Sequence, residues 1–259
     1  FRKKKYLFID RLSNNNSTNS KIVNEININS YCFLGKVNLD IINEGKEFFL
    51  NQNYIYNSHV PLDKNQSRPK VKLEDFYSKE ESSYGSFDIK TSVNCYALLN
   101  ISKTFNFKNI ADNYLMSNKS YVYSINTMIT KKSKFYDGVC NLHRDSDSMS
   151  SLTFFIYWTK AEKDNGATII YPGSHCFDPD KNFKKYSNKS SNLKYLFGES
   201  GSIFAVDTWA WHSGNKNIKT NRLVTWVRFT ACPANTYFTD RNFLFKDELK
   251  DFNNRLIYN

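Results

Sequence analysis

His143, Asp145 and Asp147 stand at alternate positions in "HRDSD", in a chain whose four histidines are at 59, 143, 175 and 212. Imidazole and carboxylate are metal-binding side chains, and their spacing decides which of them can act together. In an extended segment the side chains of 143, 145 and 147 point to one face, because direction alternates with period two. Neighbours on that face lie ~6.6 Å apart at Cα and next-but-one neighbours ~13 Å apart. His143 and Asp145 can therefore close on one ion, whereas Asp147 would have to bend back. Asp145 is the expected ligand, and Asp147 a surface or substrate-side residue.

A catalytic metal needs a third ligand. His212 follows "GSIFAVDTWAW", at the end of an apolar run where a side chain can reach a barrel interior, and Arg222 opens the next such run. Two histidines and one carboxylate leave coordination positions open, the arrangement used by non-haem Fe(II) oxygenases. A zinc hydrolase could use the same three groups. The planar fork of Arg222 suits the distal carboxylate of a cosubstrate chelated to the metal. Alone, His-x-Asp is a common tripeptide and a strand-end histidine is more often hydrogen-bonded than a ligand; the ordered combination carries the expectation.

The elements that must position these residues are mostly strands. "YVYSINTMIT", "SLTFFIYWT", "ATIIYPGS", "SIFAVDTW" and "RLVTWVRFTA" are β-branched and aromatic runs of strand length, separated by polar linkers such as "KAEKDNG". They predict an antiparallel sandwich or barrel from residue 121 onward. Before it the chain reads as mixed: a polar loop over 13–20, a helix around "LDIINEGKEFFLNQ", a strand "NYIYNSHV", an aperiodic stretch "LDKNQSRPKVKLEDF", a surface loop over 79–86, and one helix around "ISKTFNFKNIADNYLM". Helical potential is also expected near "NLKYLF".

Composition narrows the class. The 259 residues are long enough for one large β domain, and 21 Phe, 17 Tyr and 4 Trp supply bulky core side chains. The expected organisation is a single domain over 1–259: an N-terminal helical and mixed part over 1–120, a core over 121–232, an insertion over 176–200 and an extension over 233–259. Five scattered cysteines without a Cys-x-x-Cys pair indicate neither a disulfide framework nor a zinc knuckle, and a reducing, cytoplasm-like compartment is expected. No stretch approaches the ~20 apolar residues of a membrane span. The formal charge of +11 is dispersed over the chain, so it reads as a solvated basic surface more than as a nucleic-acid stripe.

"HRD" at 143–145, "DNGATIIYPGSH" at 164–175 and "WHSGNKN" followed by Arg222 resemble the phytanoyl-CoA dioxygenase (PhyH-like) family of Fe(II)/2-oxoglutarate oxygenases, over roughly residues 120–232. The resemblance implies a mainly β fold with flanking helices, the double-stranded β-helix (a cupin-like jelly roll). It implies that His143, Asp145 and His212 bind Fe(II), that Arg222 pairs with the C5 carboxylate of 2-oxoglutarate, that Thr153 supplies a hydroxyl near that carboxylate, and that Asn126 contacts the cosubstrate. It further implies hydroxylation of a small-molecule substrate with O2, releasing succinate and CO2; desaturation or ring closure would use the same iron. Asp145 argues against halogenation, since related halogenases replace that carboxylate by a small residue. Relative to many members the interval from His212 to Arg222 is one residue shorter, and Ser213 directly follows the histidine.

Other conspicuous residues receive ordinary readings. His175 ends the "PGSH" turn and is expected to be structural, His59 a loop residue, Trp209 and Trp211 packing residues, Cys140 a buried thiol and Arg228 a strand residue with its stem packed. Two alternatives stay open. Arg222 and Arg228 form the Arg-x5-Arg that alkylated-nucleobase demethylases of the same superfamily share, and a jelly roll can also be a non-catalytic binding module. Substrate choice is expected to reside in the first 120 residues and in 176–200.

Overall fold

The run "SLTFFIY" has no polar alternation because both of its faces are covered. In a computed structural model, which describes residues 18–57, 69–78, 84–132, 141–145, 148, 150–176, 192–216, 219–231 and 247–257, every residue of this strand is buried. Phe154 and Ile156 join a core beneath the helices, while Phe155 and Tyr157 join a second core between two sheets, as period-two alternation requires.

In chain order the described elements are α1 (Thr18–Asn29), β1 (Tyr31–Lys36), α2 (Leu39–Leu50), β2 (Tyr54–Asn57), β3 (Lys70–Lys72), α3 (Leu73–Ser78), β4 (Tyr84–Ser86), α4 (Ile89–Asn94), α5 (Tyr96–Thr104), α6 (Phe107–Leu115), β5 (Tyr121–Thr130), β6 (Ser151–Tyr157), β7 (Thr168–Ile170), β8 (Lys194–Leu196), β9 (Ser202–Val206), β10 (His212–Gly214), β11 (Arg222–Thr230) and α7 (Asp247–Ile257). The large sheet is antiparallel in the order β1-β9-β6-β11-β5-β4-β2-β3, and β10-β7-β8 form the small sheet facing it. This is the expected double-stranded β-helix with helices packed on the outer face. No helix among the described residues is long and apolar enough to cross a membrane.

The helical layer docks through aromatic side chains. Phe107 of α6 stacks on Phe154 at 4.0 Å between ring centroids, and Phe49 of α2 packs on Trp158 at 5.7 Å. The Trp158 indole N–H is not left unpaired by its burial: it donates to Thr225 Oγ1 at 2.7 Å. α7 is clamped onto β5 by Asn253, whose side chain accepts from Val122 N–H at 2.7 Å and donates to Val122 O at 2.9 Å.

Several elements differ from the expectations. The loop expected at 13–20 already enters α1 at Thr18, because Ile22, Val23 and Ile26 repeat at helical spacing and pack on the core. The single helix expected around 101–116 is two, α5 and α6, broken where Asn106 takes a left-handed backbone (φ 51°). Tyr84–Ser86, expected in a loop, pair with β5, and Leu73–Ser78, in the aperiodic stretch, are helical. "NLKYLF" holds strand β8, so 192–200 belongs in part to the small sheet and not wholly to an insertion. His59, Cys140, Asp147 and most of 176–200 lie outside the described residues.

Gly45 sits inside α2 where a Cβ would come within 2.3 Å of the Trp158 ring. Gly45→Ala should gain about 1 kcal/mol of helix propensity but cost about 1–3 kcal/mol in overpacking. The variant is expected to unfold at lower urea concentration than the parent; a higher midpoint would show that the Trp158 contact is not tight.

Candidate metal centre

The three ligand candidates meet because the segment 143–145 pairs with the edge of the small sheet at β10. His143 and His212 exchange both backbone hydrogen bonds at 2.9 Å, and Asp145 N–H donates to Thr208 O at 3.0 Å. That bridge places the two imidazole rings 4.4 Å apart between centroids. Asp145 Oδ1 lies 3.8 Å from His143 Nε2, and Asp145 Oδ2 lies 3.8 Å from His212 Nε2. Each residue offers one ligand atom such that all three atoms lie within 4.8 Å of one another. Two ligands ~2.1 Å from one ion stand about 3 Å apart in a compact coordination sphere, so each histidine–carboxylate pair, at 3.8 Å, needs to close by about an ångström, and the widest pair by somewhat more, to grip an ion.

The outer nitrogens of both imidazoles are already committed. His143 Nδ1–H donates to Asn141 O at 2.7 Å, and His212 Nδ1–H donates to Ala210 O at 2.9 Å. These bonds select the tautomer that keeps a lone pair on each Nε2, the atom turned toward Asp145. Burial holds the His212 pKa below its usual value despite the opposing pull of Asp145. Burial would raise the Asp145 carboxyl, but the Arg228 guanidinium, then the two imidazoles and the Thr208 hydroxyl, outweigh it and hold it below the ordinary value. An ionised carboxylate and a neutral imidazole are the states a metal requires.

The triad opens into a cavity of about 600 Å3, its mouth included, between the two sheets. Arg222, Val224, Trp226 and Arg228 line it together, as alternate residues on one face of β11 must. Arg222 Nη2 donates to Thr168 Oγ1 at 3.3 Å, and the guanidinium lies 5.3 Å from the centre of the Tyr157 ring. The "NG" of the sequence motif explains how the arginine lies there. Gly166 has φ 72°, and a Cβ at this position would meet Arg222 Cδ at 2.5 Å. Asn165 Oδ1 accepts from Thr220 Oγ1 at 2.6 Å, fixing the chain just before Arg222.

Of the six residues singled out from sequence, His143, Asp145 and His212 cluster, and Arg222 lines the same cavity. Thr153 is elsewhere on the interior face: it pairs in register with Arg228, six residues along β11 from Arg222, and its hydroxyl lies 3.3 Å from Thr208 Oγ1. The hydroxyl bonded to Arg222 is that of Thr168. Asn126 pairs with Trp226 and is half-buried; neither it nor Thr153 is among the described residues lining the cavity. Arg228, expected as a packed strand residue, instead donates to Asp145 Oδ2 at 2.8 Å. The even spacing of Arg222 and Arg228 on one strand is the signal that could have placed both in the barrel.

A jelly roll that brings two histidines and an aspartate together at the end of its interior defines the class of mononuclear metal-site β-helix proteins. The phytanoyl-CoA dioxygenase (PhyH) family profile matches residues 57–222, and the chain belongs to that family, a branch of the Fe(II)/2-oxoglutarate oxygenase superfamily. The match begins well before the stretch from 120 in which the motifs were legible. None of the curated proteins matches the chain in sequence. Among solved structures, the fold is similar to the non-haem α-ketoglutarate-dependent epimerase SnoN from nogalamycin biosynthesis, with 11% identity, a TM-score of 0.58, and 83% of this chain and 84% of that one covered. The carbocyclase SnoK from the same biosynthesis gives 12% identity and a TM-score of 0.58, covering 84% and 85%. EctD from S. alaskensis, solved with 2-oxoglutarate and 5-hydroxyectoine, gives 15% identity and a TM-score of 0.57, covering 84% and 78%.

Arg228→Met tests the ion pair in the metal-free protein. The folded-state pKa of Asp145 lies below the unfolded value, so the pair's contribution is present above the unfolded pKa and is lost as pH falls through the folded one. The variant should be less stable by about 3 kcal/mol in urea at pH 7, with the deficit shrinking as pH is lowered through the carboxylate range. A deficit independent of pH would remove the ion pair from the explanation.

Proposed function

We propose that the protein is an Fe(II)/2-oxoglutarate-dependent oxygenase that hydroxylates a small-molecule substrate. The observation that carries this reading is the placement of Arg222 relative to the triad. His212 pairs with Ile170 and Gly214 with Thr168, so the Arg222–Thr168 bond lies one two-residue step, ~6.6 Å, along the small sheet from the metal-ligand row. A five-carbon dicarboxylate that chelates the ion through one end spans that step and presents its far carboxylate to the guanidinium.

In this reading His143, Asp145 and His212 hold the iron through two Nε2 atoms and one carboxylate oxygen, and the backbone carbonyls of Asn141 and Ala210 keep the imidazoles oriented. Arg222 and the Thr168 hydroxyl receive the C5 carboxylate. Met128, Phe155, Val224 and Trp226 line the space between and exclude water, which strengthens the charge pairing with Arg222. Thr153, in register with Arg228, stands away from Arg222, so the hydroxyl assigned to the C5 carboxylate is that of Thr168, while Asn126, in register with the cavity-lining Trp226, keeps its expected role toward the cosubstrate. Bound iron and 2-oxoglutarate supply an oxidant made from dioxygen, with release of succinate and CO2. The epimerase and carbocyclase among the similar folds are described as α-ketoglutarate-dependent, so oxidative outcomes other than hydroxylation are the alternatives on the same scaffold.

The test is succinate formation from 2-oxoglutarate under air, with and without Fe(II), in the parent and in single variants. His143→Ala and Asp145→Ala should abolish it, and Asp147→Ala should leave iron binding intact. Arg222→Ala should retain iron but lose about 2–5 kcal/mol of 2-oxoglutarate affinity, a decrease of at least ~30-fold. A parent that neither binds iron nor turns over 2-oxoglutarate would leave only a jelly-roll binding module. Tight zinc binding without any 2-oxoglutarate affinity would favour a hydrolase instead. Detection of the hydroxylated product by mass spectrometry separates hydroxylation from epimerisation or ring closure.

A further inference from the structure

The "PGSH" turn is absorbed by none of the roles above, yet it touches residues adjacent to all three ligand candidates. Ser174 opens the short helical turn Ser174–Cys176 that follows β7, and it is fully buried. Its hydroxyl donates to Tyr171 O at 2.8 Å and accepts from Trp211 N–H at 2.8 Å. Tyr171 N–H in turn donates to Trp211 O at 2.9 Å. Trp211, the residue immediately before His212, is therefore held through both its N–H and its C=O, by Ser174 and Tyr171. The backbone carbonyl of the same serine accepts from Arg144 Nη2 at 3.1 Å. Arg144 stands between His143 and Asp145, and its guanidinium lies 4.8 Å from the centre of the Trp211 ring.

We infer that Ser174, with Arg144 as its counterpart, is a positioning residue for the metal centre. One buried serine is bonded to the residue that precedes His212 and to the residue between the other two ligands. It thus ties the two ligand-bearing segments to a common point. The bridge between His143 and His212 aligns those segments locally, and the serine fixes both against the end of β7, the strand whose other end carries Thr168. A ligand set held in this way gives up little conformational freedom when the ion arrives. His175 serves a different purpose: its Nδ1 is 2.8 Å from Ser30 Oγ, which ties the turn to the junction of α1 and β1.

This inference rests on the reading that the triad binds a metal, and the experiment separates the two. Anaerobic titration with Co(II), followed by its visible d–d absorption, measures affinity and coordination without turnover. Ser174→Ala removes the acceptor of Trp211 N–H, and Arg144→Met removes the second tie while leaving the serine in place should Ser174→Ala fail to fold. Each should weaken Co(II) binding 10- to 100-fold and broaden the absorption bands. Ser92→Ala serves as a control because it deletes a buried hydroxyl bonded to Thr127 Oγ1 at 3.1 Å, away from the cavity, and should lower stability without moving Co(II) affinity. If the parent binds Co(II) and both test variants match Ser92→Ala, the positioning role is overturned while the metal site stands. If the parent itself does not bind Co(II), the metal reading fails and the inference falls with it.

Discussion

The site depends on two backbone hydrogen bonds, those exchanged by His143 and His212. Neither residue's side chain makes them, yet they determine that two imidazoles nearly seventy positions apart in sequence face one another. A third bond, from Asp145 N–H to Thr208 O, ties the aspartate to the loop that precedes β10. A one-residue slip would turn His143 and Asp145 away together, because alternation sends each side chain to the opposite face. Register is thus the constraint on which the chemistry rests, and the two cores on either face of the large sheet hold it.

The segment from Asn165 to His175 serves both ends of the cavity. Its first residues hold the anion-binding end: Asn165 fixes Thr220, and the missing side chain of Gly166 leaves room for Arg222. Its last residues are bonded to the metal-ligand segments through Ser174. β7 lies between, short enough to act as a spacer. The sequence resemblance was carried partly by this segment, and its recurring residue types have physical reasons here: a glycine where an arginine stem passes, and a serine where a buried N–H needs an acceptor.

The parts of the fold that were legible in sequence are those with a clear period. His143 and Asp145 could be paired from strand geometry alone, and the long strands β5, β6 and β11 stood out as aromatic and β-branched runs. Short elements were not legible: β8 and β10 have three residues each, too few for a period to emerge, and "NLKYLF" read equally well as a helix. Thr153 and Thr168 both fall in apolar runs. Only the pairing of β6 with β11 and of β7 with β10 decides which hydroxyl meets Arg222, and pairing partners are a long-range property. Arg228 was an intermediate case, since even spacing placed it on the face of Arg222 but nothing local identified Asp145 as its partner.

The same limit explains why the family match starts at residue 57 while the motifs began near 120. β2 stood out as the run "NYIYNSHV", but β3 and β4 have three residues each and locally resemble loops. In the fold they continue the large sheet past β5: Tyr84 pairs with Thr130 and Ser86 with Met128, and β2 pairs with β4 in turn. Thr130 and Met128 line the cavity, so the strand that closes its side beyond β5 comes from the N-terminal part of the chain. The barrel wall is therefore built from both halves of the sequence. The described strands of the first 120 residues are structural partners of the site, joined to it by backbone pairing that leaves little trace in local composition.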